Sequence, residues 1–560
     1  MSIPLSRRFL RLLTFRWPRP AAIAFCGVLG TILPAAVGLS SGIADPSVHD
    51  EFSYLLNADT FAHGRVTNPP PALPEFFEAP HVLVVPTYNS KYPPGQGLAL
   101  AVGQAVGGHP IWGVWVSCGL FAASLCWMLQ AWTSREWAVA MTLVPIATVG
   151  MFSYWAQSYW GGMVAACGGA LLFGAMRRTC QSPHAWTSVL LGLGVLVLAN
   201  TRPYEGLLVC IPAAAVLWWW FTQDRRTPQR AKVTSWLLPL GTVLLVGGCA
   251  MSAYNRAVTG EWLLMPYSAH TRQYFHHGLF LFSTTHEPER TPAPRVARFY
   301  RVNQATPEHG WGLLARVASN LSVQFPTTIE SVLGVPNPVE WIPVGVGSLR
   351  ETRVLILVGT LALVMILADP WVWFCVITTV VVVLGESLVW WWFPHYAAPV
   401  LPLLLAAGAQ TLRRGALELK AVSYLPATMP AAVCLSAALS ASAPILPTFF
   451  VGRDAEVEVI PDRSDVGDLS RSEVTRRLER QGGSHLVFVQ YSDDFSPDDE
   501  WVYNLSDLTA PGVIFAHDLG STKNSALIDA YPHRTIWIVT LSPSERQLRR
   551  YSNGRARPYP

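Results

Sequence analysis

Charge is scarce in these 560 residues: Asp, Glu, Lys and Arg make up 14% of the chain, where a soluble domain carries roughly 25%. With 51% hydrophobic residues and 23 Trp, that deficit excludes an ordinary soluble protein and points to a chain that crosses a bilayer repeatedly. The net charge is only +4, and no nucleic-acid partner is expected. Cysteine is absent from the places where it would build something. All nine (Cys26, Cys118, Cys126, Cys167, Cys180, Cys210, Cys249, Cys375, Cys434) lie in or beside apolar runs. A disulfide framework, a CxxC pair and a zinc-ligand spacing are thereby excluded, and the thiols act as small hydrophobes. There is also no phosphate-cradling GxxxxGK[ST].

What is present is a series of apolar stretches of the length a membrane helix needs, about 17 to 25 residues. They fall at 21–39, 110–132, 137–155, 160–176, 186–201, 205–221, 233–253, 353–368, 371–392, 396–411 and 422–448. The expected fold class is therefore a polytopic α-helical membrane protein with about eleven transmembrane helices. The cations support that count. Arg7, Arg8, Arg11, Arg16 and Arg19 precede the first span, Arg135 follows the second, and Arg177 and Arg178 follow the fourth. "DRRTPQRAK" follows the sixth and "RRGALELK" the tenth. All lie on one side, which the inside bias of Lys and Arg makes cytoplasmic. The expected topology has a cytoplasmic N-terminus, an extracytoplasmic C-terminus, a first outer loop at 40–109 and a long outer loop at 254–352. The expected location is the cytoplasmic (inner) membrane. The basic start could be misread as a cleaved signal, but an apolar core spanning 21–39 exceeds the usual 7–15 residues.

Charge returns in the tail. Residues 450–560 hold 13 Lys and Arg and 17 Asp and Glu, a density typical of soluble protein. The helical pattern "RSEVTRRLERQ" precedes the apolar runs "HLVFVQY", "GVIFAHD" and "RTIWIVT", with "KNSALIDAY" between the last two. This predicts a small extracytoplasmic α/β domain at 450–560 beside a membrane domain at 1–449. Asp493, Asp494 and Asp518 sit at strand ends, where turn and cap formation is the ordinary role.

The chemistry concentrates at one membrane face. In "HDEFSYLLNADTFAHGR" (49–65), Ser47 and Asp50 have capping-box spacing and Gly64 can end a helix over 48–63. Phe52, Leu55, Leu56 and Ala62 would give this helix a face to rest on the membrane. Two readings stand for Asp50 and Glu51: first-turn acids favoured by the helix dipole, or working carboxylates. Lys91 in "KYPP" is likewise open, either snorkelling to headgroups or fixed by rigid Pro93–Pro94 as a point charge for a phosphate. Three further outward turns, "QSYWGG", "NTRPYEG" and "WWWFPHYAAP", bring Gln157, Arg202, Tyr204, His395 and Tyr396 to the same face. Tyr and Trp are ordinary interface anchors there, whereas Arg202 in a short outer turn runs against the inside bias.

An acid pair in the first outer loop, a lysine–proline motif closing that loop, about eleven spans and an outer tail together resemble the polyprenyl-phosphate-sugar-dependent glycosyltransferases of the C class (GT-C). Protein O-mannosyltransferases and lipid A aminoarabinose transferases belong to it. The specific motifs cover residues 48–97. The resemblance implies that Asp50 is the base toward the acceptor, with Glu51 its catalytic neighbour, and that Lys91 contacts the donor phosphate. Topology adds Arg202 and His395 as further phosphate ligands, with Tyr54, Tyr92, Gln157, Tyr204 and Tyr396 as substrate contacts. Tyr267, Arg272 and His276 in the long loop stay unassigned.

These residues imply a membrane glycosyltransferase that moves a sugar from a polyprenyl-phosphate donor to an acceptor hydroxyl at the outer face, inverting the anomeric carbon. The acceptor, whether protein, glycolipid or polysaccharide, is open. No cofactor is required; Asp50, Glu51 and Asp59 are the oxygen donors at hand if a divalent metal binds. The alternatives are a transporter or flippase for a lipid-linked or small solute, and a non-catalytic envelope assembly protein. A transporter predicts ionisable groups at mid-membrane and two related halves. Glu386 is the main acid inside an apolar run, and no internal repeat is visible.

Overall fold

A computed structural model of the chain describes residues 18–151, 153–303, 309–333, 369–418, 469–552 and 555–558. Every expected span within those residues carries a helix; those at 353–368 and 422–448 lie outside them. In chain order the helices of the apolar bundle and first loop are α1 (Arg19–Ser41), α2 (His49–Ala62), α3 (Pro94–Gly107), α4 (Ile111–Trp132), α5 (Arg135–Ala147), α6 (Met163–Gln181), α7 (Ala185–Ala199), α8 (Pro203–Gln223) and α9 (Gln229–Thr259). The 254–352 region carries α10 (Pro266–Tyr274), α11 (Pro294–Val302) and α12 (Gly310–Leu333), and the bundle resumes with α13 (Pro370–Glu386) and α14 (Leu401–Glu418). Among the described residues, α1, α4, α8 and α9 are long and apolar enough to cross a membrane, and α7 and α13 are shorter apolar helices. The span expected at 137–155 is a helix of only 13 residues that ends at Ala147. That expected at 371–392 stops at Glu386.

α4 is the pivot of the bundle. Its residues Leu125, Met128 and Leu129 are fully buried with Phe173, Ala175 and Met176 of α6. α1 lies against its other side through small residues, since a Cβ on Gly119 would stand 1.9 Å from the Thr31 hydroxyl. Close backbone approach of this kind is how helices associate where no hydrophobic drive exists between them.

The tail residues form a five-stranded sheet in the order β4-β3-β5-β6-β7. Its strands are β3 (Ser484–Tyr491), β4 (Gly512–His517), β5 (Thr535–Leu541), β6 (Arg546–Ser552) and β7 (Arg555–Pro558), with helices α15 (Arg471–Gln481) and α16 (Ser521–Ala530). β3 pairs in parallel with β4 and β5, and the last two strands are antiparallel. Both faces are covered, which is why the strands read as continuous apolar runs. Val487 and Val489 pack with Val474 and Leu478 of α15. Leu486 and Phe488, pointing the other way, pack with Leu56, Phe76, Phe77 and Val84 of the first loop.

That packing corrects the expectation for α2. Its apolar face rests on the tail sheet, not on a membrane: the Phe52 ring stacks on Tyr503 with centroids 4.3 Å apart, and Leu56 is 1% exposed in the shared core. The expected capping pair is also displaced. Glu51, not Asp50, folds back, its carboxylate accepting from the backbone N–H of Ser47 at 2.8 Å and of Val48 at 3.2 Å.

Candidate active site

A cavity of about 1490 Å³ opens where the first loop, the 200–205 turn, the α10–α11 region, the end of α13 and the tail meet. The start of α2 decides which acid faces it. Glu51, 3% exposed, commits one oxygen to Ser47 and Val48 and the other to the N–H of Tyr159 at 3.0 Å. Burial pushes its carboxyl above the ordinary range, against the pull of those three donors. Asp50, one residue earlier and so about 100° round the helix, lines the cavity. It accepts a hydrogen bond from the Tyr92 hydroxyl, and its second oxygen stands 3.9 Å from His81 Nε2. The acid pair thus divides: Asp50 is presented, and Glu51 holds the helix start and does not line the cavity.

Lys91 is brought beside Asp50 by the short hairpin of β1 (Val82–Leu83) and β2 (Asn89–Ser90). Its backbone N–H donates to the carbonyl of His81 at 3.1 Å, and the Ser53 hydroxyl of α2 donates to the same carbonyl at 2.7 Å. The ammonium lies 5.0 Å from the Tyr92 ring and 4.9 Å from that of Tyr267, cation–π distances. With the residue 5% exposed, burial lowers its pKa to about 8, Asp50 opposing that fall. Neutral histidines suit this setting: burial first, then the Lys91 charge, hold His81 and His270 well below their usual range.

Arg202 reaches the same cavity because two loops are tied together. The N–H of Gly95, two residues after Pro93, donates to the Asn200 carbonyl at 2.7 Å. A Cβ on Gly95 would meet Thr201 Cγ2 at 2.5 Å and the Asn200 oxygen at 2.6 Å, so only glycine permits the approach. Arg202 caps α8 with its guanidinium 3.8 Å from Glu205 and 4.2 Å from the centre of the Tyr396 ring.

Of the other sequence-derived candidates, Tyr54, Tyr92, Tyr204 and Tyr396 line the cavity. Tyr54 stacks on Tyr92 at 4.4 Å. His395 and Gln157 do not line it. His395, 1% exposed, bonds the Tyr154 hydroxyl at 3.0 Å behind the cavity wall. Gln157 donates to the carbonyls of Pro34 and Met151 and braces α1. Asp59 is turned to the tail, accepting from the Ser506 N–H and hydroxyl and from Gln104. Among the described residues no three His, Cys, Asp or Glu side chains gather as a metal-ligand group.

Sequence reasoning did not find His49, His81, Glu205 or Asp498 and read Glu386 only as an acid inside an apolar run; all five line the cavity, and Tyr267 and Arg272, left unassigned, line it as well. His49 links the tail to the site: its Nδ1 bonds the Tyr503 hydroxyl at 2.9 Å and its Nε2 lies 4.0 Å from Asp498. The one signal available was the adjacency of His49 to the acid pair. His81 arrives through a left-handed backbone conformation, φ 67°, which no local motif announces.

No protein-family model matches the sequence, and no curated protein matches it. Among solved structures the chain is similar to ArnT from Cupriavidus metallidurans bound to undecaprenyl phosphate, with 13% identity, 94% of this chain and 96% of that chain covered, and a TM-score of 0.46. It is also similar to the apo Archaeoglobus fulgidus oligosaccharyltransferase, with 10% identity, coverage of 94% and 70%, and a TM-score of 0.44. Likeness at this depth does not decide function, which has to come from the chain's own residues.

Proposed function

We propose that this chain is a membrane glycosyltransferase that moves a sugar from a polyprenyl-phosphate donor to an acceptor hydroxyl. The observation that carries the reading is the meeting of Asp50, Lys91 and Arg202 on the wall of one large cavity at the ends of apolar helices. A lipid phosphate sugar keeps its chain in the bilayer and its anomeric carbon at the surface, so its enzyme needs a carboxylate and cations at that depth.

In the proposed step, Asp50 takes the proton of the acceptor hydroxyl as that oxygen attacks the anomeric carbon. The bond from that carbon to the phosphate oxygen breaks, its electrons leaving with the polyprenyl phosphate. Single displacement inverts the anomeric configuration. General-base assistance of this kind contributes about 10²–10⁴-fold. Lys91 and Arg202 hold the departing phosphate, whose charge they stabilise at low cost in reorganisation because tyrosine rings already fix them. The Tyr92 hydroxyl orients the Asp50 carboxylate. No step calls for a metal. The one-sided cations support a cytoplasmic N-terminus and a site on the outer face of the cytoplasmic membrane, with the 450–560 region as an extracytoplasmic α/β domain and His49, Asp498 and Tyr503 at its contact with the site.

The test is incubation of the purified protein with polyprenyl-phosphate sugars, followed by mass spectrometry of the lipid and of candidate protein, glycolipid and polysaccharide acceptors. Release of polyprenyl phosphate with transfer of the sugar mass is expected. A folded protein that consumes no such donor contradicts the reading.

A further inference from the structure

Glu386 is the last residue of α13 and lines the cavity. It is 1% exposed, and neither oxygen of its carboxyl group has a hydrogen-bond partner. A buried acceptor left unmade is costly, and sites of this kind in native proteins call for a cause such as an absent ligand. The neighbourhood is built to hold it in place. The Tyr204 hydroxyl donates to the Gly385 carbonyl at 2.8 Å, joining the first turn of α8 to the last turn of α13. A Cβ on Gly385 would stand 2.4 Å from Leu208. The same junction carries Glu205, whose ion-pair partner is Arg202 at 3.8 Å, beyond hydrogen-bond reach. The guanidinium that pairs with Glu205 is the one that the reading above commits to phosphate.

What the Glu386 carboxyl group lacks is hydrogen-bond donors, and a polyprenyl chain has none to give. A sugar ring carries them next to its phosphate. We propose that Glu386 and Glu205 form the subsite that reads the donor's sugar, accepting hydrogen bonds from its hydroxyl or amino substituents while Arg202 holds the adjoining phosphate. This rests on the glycosyltransferase reading. It makes the pair specificity-determining, since a site built to accept a substrate's hydrogen bonds discriminates strongly against analogues without them.

The experiment compares the full-length wild type with Glu386→Leu and Glu386→Gln on polyprenyl-phosphate hexoses, pentoses, amino sugars and their deoxy analogues, with melting temperatures measured without donor. Glu386→Leu removes an unpartnered buried acid, so its melting temperature should hold or rise while kcat/KM for the preferred donor falls roughly 10-fold or more. One deoxy analogue should be poor for the wild type and no poorer than its parent for the variant. Near-normal kinetics in Glu386→Gln then identifies the group read as a hydroxyl, and a loss matching Glu386→Leu identifies an ammonium; either supports the subsite. If the leucine variant fails to fold, the deoxy series with Glu386→Met, which fills the volume without a carboxyl acceptor, gives the same readout. Wild-type kcat/KM in folded Glu386→Leu across the panel overturns the proposal. A wild type that consumes no donor overturns the parent reading instead.

Discussion

The backbone N–H of Gly95 donates to the carbonyl of Asn200 over 2.7 Å, and this one bond joins the loop of Lys91 to the turn of Arg202. Both cations proposed to hold the leaving phosphate depend on that junction. Gly95→Ala would set a methyl group 2.5 Å from Thr201 Cγ2 and 2.6 Å from the Asn200 oxygen. We expect a stability loss of about 1–3 kcal/mol, the usual cost of overpacking, and a larger KM for donor as the cations separate. Thermal unfolding and donor titration check both, and an unchanged KM would show that the junction does not set the cation spacing.

Lys91 gives the site a pH limit. Its pKa falls from 10.5 to about 8 through burial, so the ammonium is present below that pH and lost as pH rises through it. A sugar phosphodiester stays ionised throughout, and the free enzyme's titration is read in kcat/KM. The expected profile declines above about pH 8, by up to tenfold per unit. In Lys91→Arg the guanidinium stays charged, so any activity that survives should lack this limb. A wild-type kcat/KM flat from pH 7 to 9.5 would contradict the assignment of Lys91 to phosphate.

The tail is fastened to the loop over the site by Arg295 of α11, which is 9% exposed and lies 3.6 Å from the buried Glu500, with Nη1 donating to the Phe495 carbonyl at 2.9 Å. Arg295→Ala strands Glu500 without its cation and should cost about 3–5 kcal/mol. The pairs of Arg476 with Asp45 and Glu473 are exposed, and Arg476→Ala should cost less than about 1 kcal/mol. Chemical denaturation of the two variants checks the contrast; equal losses would mean the Arg295 contact is not what anchors the tail.

How much of this was legible in the sequence follows the range of the signals. Helices in the bundle and strands in the tail announce themselves through local periodicity, and Asp50, Lys91 and Arg202 through their neighbours in short motifs. What local signals cannot carry is contact between distant segments. The face of α2 was read as membrane-facing because nothing near Phe52 and Leu56 reveals Tyr503 or Phe488, more than 400 positions later. Asp50 and Glu51 look equivalent as letters, and only the helix start, where Glu51 meets the N–H of Tyr159, separates them. His395 and Gln157 lie on expected outward turns, yet their polar atoms are used inside the bundle.

Glu51→Gln tests that separation. An amide has one acceptor oxygen where the carboxylate uses two, so at least one of the Ser47, Val48 and Tyr159 donors goes unmet, costing about 1–3 kcal/mol. Turnover per folded molecule should stay within a few-fold of wild type. A loss of turnover on the scale of a removed base, in a protein that keeps its stability, would move the catalytic role to Glu51.

The most direct measurement of the central claim is single-turnover sugar transfer by Asp50→Asn under saturating polyprenyl-phosphate donor. Asparagine keeps the size of Asp50 and can accept from Tyr92, but it cannot take the acceptor's proton. The rate should fall about 10²-fold or more while donor affinity and unfolding temperature stay near wild type. Transfer at the wild-type rate, or a loss accounted for wholly by unfolding, would contradict Asp50 as the base.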